Sequence, residues 1–289
     1  MAALYDFHVH STASDGLLSP VAVTEAAHAA GIRLFALTDH DTTSGVAAAS
    51  ARGRELGVEV WGGAELSVSE QDGDVQMHIL GLGIDPGEPA LAAAFAARRR
   101  LRDERGAEIV RRLKSVGVEL EYDRVRSVAG RGVIGRPHIA RALVDAGHCP
   151  DVDTAFSRWL RRKRPAYVGS GGFGAAEAID AIHAAGGIAS LAHPLLSVGV
   201  DASGGLDRFV SRLAELGLDA LELQHPTHDP GRRRRIRRVC RKYRLLATGG
   251  SDFHGDKPDI ELGRGRGNVR IGDDLYRQLA ERREAIRAR

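Results

Sequence analysis

Cysteine is nearly absent: the 289-residue chain has two, Cys149 and Cys240, far apart and in no Cys-x-x-Cys arrangement. That excludes a disulfide-stapled scaffold and a thiolate metal centre, and it fits two free thiols in a reducing cytoplasm. No apolar run approaches the roughly 20 residues that span a bilayer, so no membrane partner is expected. The N-terminus has no basic segment leading into an apolar one, so no cleaved signal is expected either. Internal repeats are missing. Lysine is scarce: Lys114, Lys163, Lys242 and Lys257 are the only four, and the other 37 of the 41 basic residues are arginine. Arginine is the better fork for phosphate oxygens, although a compositional bias of the genome explains the same excess. Against 38 acidic residues the formal charge is only +3, which singles out no partner. With 43% apolar and 27% charged residues, the chain is neither disordered nor fibrous. Its length allows one large domain, or one domain with a sizeable insertion. What is plentiful is histidine, at 12.

The apolar pattern alternates between short β-rich runs and helical runs. Strands are expected at 4–9, 33–38, 58–61 and 75–82, with helices between the first three. Ser19 caps the first helix ahead of Pro20, and Gly31 and Gly57 close the first two helices. From 89 to 165 the pattern is almost wholly helical, with helices over 98–116 and 137–146 and a third capped by Asp151 or Asp153. Alternation then resumes, with strands at 188–192, 218–223 and 245–248, a very basic helix at 232–243 and a charged helix after 275. Short strands alternating with helices predict βαβ units on a parallel sheet. The expected fold is therefore α/β: a seven-stranded barrel built from 1–88 and 166–289, interrupted by a helical cap at 89–165.

Polar, ionisable residues cluster on these strands. His8 and His10 form a His-x-His pair whose side chains share one face of a strand. Asp252 and His254 repeat that spacing near the other end. Asp15 follows the first strand, His40 the second and His193 the fifth, while Glu65 is expected to end the third and His78 lies on the fourth. Six imidazoles and three carboxylates exceed what one ion takes, and suit two or three ions with bridging ligands. Burying so many ionisable groups without partners is very costly, so a metal cluster is the economical explanation. Metal ions held in such a cluster acidify water to hydroxide near neutral pH. His28, His148 and His183 fall away from strand ends and read as surface or packing residues. His228 reads as a loop residue. The arginine runs at 98–100, 161–164 and 232–235 read as solvated faces, two of them in or beside the cap.

The motifs Asp6-Phe7-His8-Val9-His10-Ser11, Ser14-Asp15-Gly16, Thr38-Asp39-His40-Asp41, Glu65, His78, Ala192-His193-Pro194 and Ser251-Asp252-Phe253-His254 together resemble the PHP (polymerase and histidinol phosphatase) metallophosphoesterases. Gly135-Arg136-Pro137-His138-Ile139-Ala140 and His225-Pro226 further resemble the branch acting on 3′,5′-nucleoside bisphosphates and short 5′-phosphorylated RNA. The resemblance implies a distorted seven-stranded (β/α) barrel with three metal positions. His8, His10, Glu65 and Asp252 would hold one ion. Glu65 with His78 and His193 would hold the second, and Asp15, His40 and His254 the third. Asp15 stands where some branches have histidine, which favours harder metals, so manganese is expected ahead of zinc or iron. The implied activity is removal of the 3′-phosphate from a nucleoside bisphosphate such as pAp, with short RNA ends as a further substrate and no obligate protein partner. Histidinol-phosphate phosphatase is the alternative, and a non-catalytic metal-binding module a second one. His193 and His225 are the candidates for protonating the leaving alkoxide. Asp39 and Asp41 are expected to orient His40. Arg136, His138 and Ser14 are the candidate substrate-binding residues, Arg136 through paired hydrogen bonds to phosphate.

Overall fold

Period-two runs rich in Val, Leu and Phe form the strands, and Ser/Asp caps with following prolines start the helices. The computed structural model describes residues 5–70, 75–169, 171–196 and 205–288. Its strands are β1 (Tyr5–Val9), β2 (Leu34–Leu37), β3 (Glu59–Glu70), β4 (Val75–Leu82), β5 (Ile188–Leu191), β6 (Ala220–Gln224) and β7 (Leu246–Gly249), paired in chain order in one sheet. The first strand matches its expected span from residue 5 onward, residue 4 lying outside the described residues. The sheet curls into a distorted barrel. Past β1, the His10 amide donates to the Phe253 carbonyl at 2.9 Å, and Val9 bridges Phe253 in parallel. Glycine permits this approach: a Cβ on Gly250 would lie 2.3 Å from the Cβ of His8.

Two expectations are corrected. The sheet is mixed rather than parallel, because β4 runs antiparallel to both β3 and β5. Too few residues separate β3 from β4 for the crossover that a parallel pair requires, so the chain turns straight back. β3 also runs to residue 70 rather than stopping at 61, so Glu65 lies within the strand, paired to Leu80 of β4, and not at its end.

The helices α1 (Pro20–Ala29), α2 (Val46–Leu56), α7 (Ala175–Ala184), α8 (Gly205–Glu215), α9 (Pro230–Tyr243) and α10 (Asp273–Arg287) surround the sheet, and α3 (Pro89–Ser115), α4 (Tyr122–Ala129), α5 (Arg136–Asp145) and α6 (Val152–Ala155) form the insertion. Helix α3 starts nine residues before its expected start at 98, with Pro89 in its first turn and Glu88 capping it. Asp151 caps α6, its carboxylate accepting from the Thr154 amide at 2.7 Å, and the chain continues as a short π-helical turn over Phe156–Leu160. The insertion has a core of its own around Ile109, Leu113, Val125, Ile139, Leu143 and Leu160, separate from the barrel cores. Both cysteines are buried and free. Among the described residues, no helix is long and apolar enough to cross a membrane.

Candidate metal centre

Glu65 is the hub of the site, and its carboxylate is 1% exposed. Its Oε2 lies 3.2 Å from His8 Nε2, 3.2 Å from His10 Nε2 and 3.3 Å from His40 Nδ1. Its Oε1 lies 2.7 Å from His78 Nδ1 and 3.1 Å from His193 Nε2. Five imidazoles thus meet on one carboxylate. Asp252 flanks the group, with Oδ1 3.3 Å from His8 Nε2 and Oδ2 3.3 Å from His225 Nε2. Asp15 closes the far side, 3.4 Å from His254 Nε2 and 3.8 Å from His40 Nε2. The His10 and His254 rings stack at 4.0 Å. All nine expected ligands therefore converge at one end of the barrel. His193 and Asp252 reach it with left-handed backbones, φ 29° and 51°. Such conformations cost non-glycine residues roughly 1–3 kcal/mol and persist where the surroundings enforce them.

The electrostatics follow from this crowding. Burial alone would raise the Glu65 carboxyl, but the imidazoles of His40, His78 and His8 outweigh it and hold it well below the usual carboxylate range. His40 is driven the other way, down to about 3, chiefly by burial. Among the described residues, several ring nitrogens are buried with no hydrogen-bond partner: both nitrogens of His10, and Nδ1 of His40, His78 and His193. Lone pairs aimed at carboxylate oxygens without hydrogen-bond geometry fit cations shared between them. Three donor sets have ligand atoms within 4.8 Å of one another: His10/Asp15/His40/His254, His8/His10/Asp252 and His40/Glu65/His78. These donors suit divalent ions that accept both imidazole and carboxylate.

A second layer holds these side chains in place, and much of it was not foreseen. Glu222, fully buried on β6, sits 2.9 Å from His8 Nδ1 and accepts the His193 amide at 2.6 Å. The sequence signal was the one carboxylate of β6, flanked by Leu221 and Leu223. Asp39 and Asp41 do not orient His40. Asp39 accepts from the Ser11 amide and hydroxyl, at 2.8 and 2.7 Å, and from the Ser14 hydroxyl at 2.6 Å. Asp41 accepts from the Ser67 amide at 2.8 Å and from Arg102 at 2.7 Å. Each carboxylate is claimed by the donors its loop meets, which spacing alone does not reveal.

The remaining candidates divide. Arg136 lines a cavity of about 200 Å³ that opens on Asp15, His40 and His78, together with Arg102 and Arg105 from α3. Its guanidinium lies 5.9 and 5.7 Å from the rings of Phe156 and Tyr167. Arg105 donates Nε to the Val168 carbonyl at 3.0 Å, while its Nη2 is buried with no partner among the described residues. Burial, with Arg136 and Arg102 nearby, lowers it to about 9. Ser14 faces Asp39 rather than the cavity, so its hydroxyl proton is already committed. His138 is buried, its Nδ1 accepting the Gly135 amide at 3.0 Å, and it shapes the turn that carries Arg136. His225 sits 2.8 Å from the Thr227 hydroxyl, its ring 5.6 Å from that of His193. His228 packs behind it at 5.2 Å. His183 bonds Asp219 at 2.8 Å, away from the site. Of the arginine run at 98–100, Arg98 is buried, donating to the Gly171 carbonyl, and is not solvated.

His138 and His228 are both depressed to about 4, chiefly by burial. An unfolded chain takes up protons on them as pH falls below about 6.5, and the folded protein does so only near 4. Their contribution to stability is therefore complete above about 6.5 and lost as pH falls through 4. Urea unfolding of metal-free protein should show that a His228→Leu variant loses about 2 kcal/mol less than the wild type between about pH 7 and about pH 4.5. Parallel pH profiles would contradict this.

The chain is similar to known proteins over most of its length. The PHP domain profile matches residues 6–124. A 5′-3′ exoribonuclease from Haemophilus influenzae is 35% identical over 91% of this chain and 94% of its own length. A 3′,5′-nucleoside bisphosphate phosphatase from Chromobacterium violaceum is 36% identical over 86% of each chain. A crystal structure from Bifidobacterium adolescentis, assigned as a metal-dependent phosphoesterase, superposes with a TM-score of 0.85 at 32% identity, covering 98% of this chain and 97% of its own. Likeness of this extent, carried on a curled sheet whose strands deliver histidines and carboxylates to one point, leaves one conclusion: the chain belongs to the PHP domain family and is a metal-dependent phosphoesterase.

Proposed function

We propose that the protein removes the 3′-phosphate from 3′,5′-nucleoside bisphosphates, pAp to AMP, and accepts short 5′-phosphorylated RNA at the same site. The observation that carries this reading is one small cavity lined both by Asp15, His40 and His78 and by Arg102, Arg105 and Arg136. A substrate with two phosphates suits such a cleft, one phosphate at the cluster and the other at the arginines, because guanidinium forks match phosphate oxygens. Histidinol phosphate suits it less, since its single phosphate leaves the arginines unmatched and its ammonium group would meet their charge.

His8, His10, Glu65 and Asp252, then Glu65, His78 and His193, then Asp15, His40 and His254, would hold two or three divalent ions, manganese before zinc or iron. Such ions supply Lewis acidity, which lowers the pKa of water and neutralises phosphoryl charge. The protein's own residues do the rest. Glu222 fixes His8 through Nδ1 and the His193 backbone through its amide. His225 lies between Thr227 and Asp252, next to His193, and either imidazole can deliver a proton to the departing ribose oxygen. The insertion 89–165 acts as a cap, bound to the barrel by Arg102 through Asp41 and Ser67. Two buried free thiols support a reducing, cytoplasmic setting.

Phosphate release is the test. Purified protein supplied with Mn²⁺ should release phosphate from pAp faster than from histidinol phosphate, and a chelator should abolish the release. Faster turnover of histidinol phosphate, or release that survives metal removal, would refute the assignment.

A further inference from the structure

We propose that the outer face of α9 is a docking track for single-stranded RNA, carrying the strand that continues from a nucleotide in the cavity. The proposal rests on the reading of the site as a nucleotide phosphoesterase and extends it to the length of substrate engaged.

The charge of the chain is concentrated here. Residues 229–244 hold nine basic side chains and one acidic, and without them the formal charge of +3 becomes −5. Burial splits the helix cleanly. Ile236, Val239 and Cys240 face the barrel, while Arg234, Arg237, Arg238 and Arg241 are exposed. Those four follow an i, i+3, i+4, i+7 spacing, which places them on one stripe opposite the buried face. Among the described residues, none of the four has a carboxylate within ion-pair distance. Asp207 on α8, an acid that faces this helix, is bonded to Lys242 at 2.6 Å and to the Tyr243 hydroxyl at 3.1 Å. Asp229 caps the helix and accepts the Arg232 amide at 2.8 Å.

The helix that carries the stripe begins beside the site. Arg232, in the first turn, donates to the Thr227 carbonyl at 2.6 Å, and the Thr227 hydroxyl is 2.8 Å from His225 Nδ1. Helix α9 therefore begins at the mouth of the metal centre and runs away from it. From Arg234 to Arg241 the rise is about 10 Å at 1.5 Å per residue. At roughly 3.4 Å of axis per phosphate, that spans about three phosphates of one strand. A single convex stripe of this width suits one flexible strand better than a duplex.

The test separates binding from turnover. Metal-free protein is titrated with a fluorescent 5′-phosphorylated 12-nucleotide RNA at several salt concentrations, beside the variant in which Arg234, Arg237, Arg238 and Arg241 are all changed to glutamine. These side chains are exposed, and thermal melting verifies that the variant folds. The variant should bind at least about tenfold more weakly, and its salt slope should fall by about 2 to 3. With Mn²⁺, its turnover of pAp should stay within about twofold of wild type, since the stripe lies outside the cavity. Equal binding and equal slope would overturn the track. So would wild-type binding to duplex DNA as tight as to single-stranded RNA. Loss of RNA binding in the variant, with no pAp turnover by either protein, would support the track and overturn the assigned reaction.

Discussion

Replacing Glu65 with glutamine is expected to lower kcat/KM for phosphate release by more than about 100-fold. Partners that merely orient metal ligands already cost 10- to 100-fold when removed, and Glu65 touches five imidazoles itself. The amide keeps the volume of the side chain but removes the charge and puts an N–H₂ donor where an acceptor stood. Ring nitrogens that now share one anionic carboxylate would then face a group unable to share cations with them. The fold should survive, because the surrounding core of Leu66, Ile79 and Leu191 is untouched. Two measurements check this together. Metal content by mass spectrometry should fall by at least one ion per chain, and the variant in chelator should still unfold in one cooperative transition. Wild-type activity and metal content in this variant would mean that the centre is not organised around Glu65.

The ligand cluster was legible because it depends on local rules. His8 and His10 share a face whatever the rest of the chain does, since a strand alternates with period two. His40, His193 and Asp252 could be placed because each follows a short apolar run that can only be a buried strand. The barrel itself was legible for the same reason. What stayed hidden was decided by approach in space. The antiparallel β4 could not be seen while β3 was taken to end at Trp61, because the missing crossover then passed unnoticed. Glu222 looked like one more charge in a β-rich run, and only its burial against His8 and the His193 amide reveals its role. Arg102 and Arg105 lay beyond the conspicuous run at 98–100, yet they lie with Arg98 on one side of α3 at i, i+4 and i+7. The partners of Asp39 and Asp41 were misassigned because proximity in sequence to His40 outweighed the unseen donors of Ser11, Ser14, Ser67 and Arg102.

That row of arginines leads to the second large effect. Changing Arg136 to methionine is expected to raise KM for pAp about 10- to 100-fold, the equivalent of a charged hydrogen-bonded contact of about 1.5–3 kcal/mol. Its guanidinium lies near the rings of Phe156 and Tyr167, with one long hydrogen bond among the described residues, 3.4 Å to the Leu160 carbonyl. Most of its donors therefore remain for a ligand, and methionine keeps the packing while removing them. Arg105 carries the same expectation, because its Nη2 is buried with no partner among the described residues. Arg102 differs: it is bonded to Asp41 and Ser67 across the cap, so its loss should lower stability before it alters binding. An aryl phosphate with one phosphate group provides the control. Its KM should change less than about threefold in the Arg136 variant, because uniform binding at the cluster is intact. Lysine at 136 should restore only part of the loss, since a point charge cannot reproduce the planar fork or its place near two rings. An equal rise in KM for both substrates would mean that Arg136 acts on the metal centre or on the cap as a whole, and the two-phosphate arrangement would fail with it.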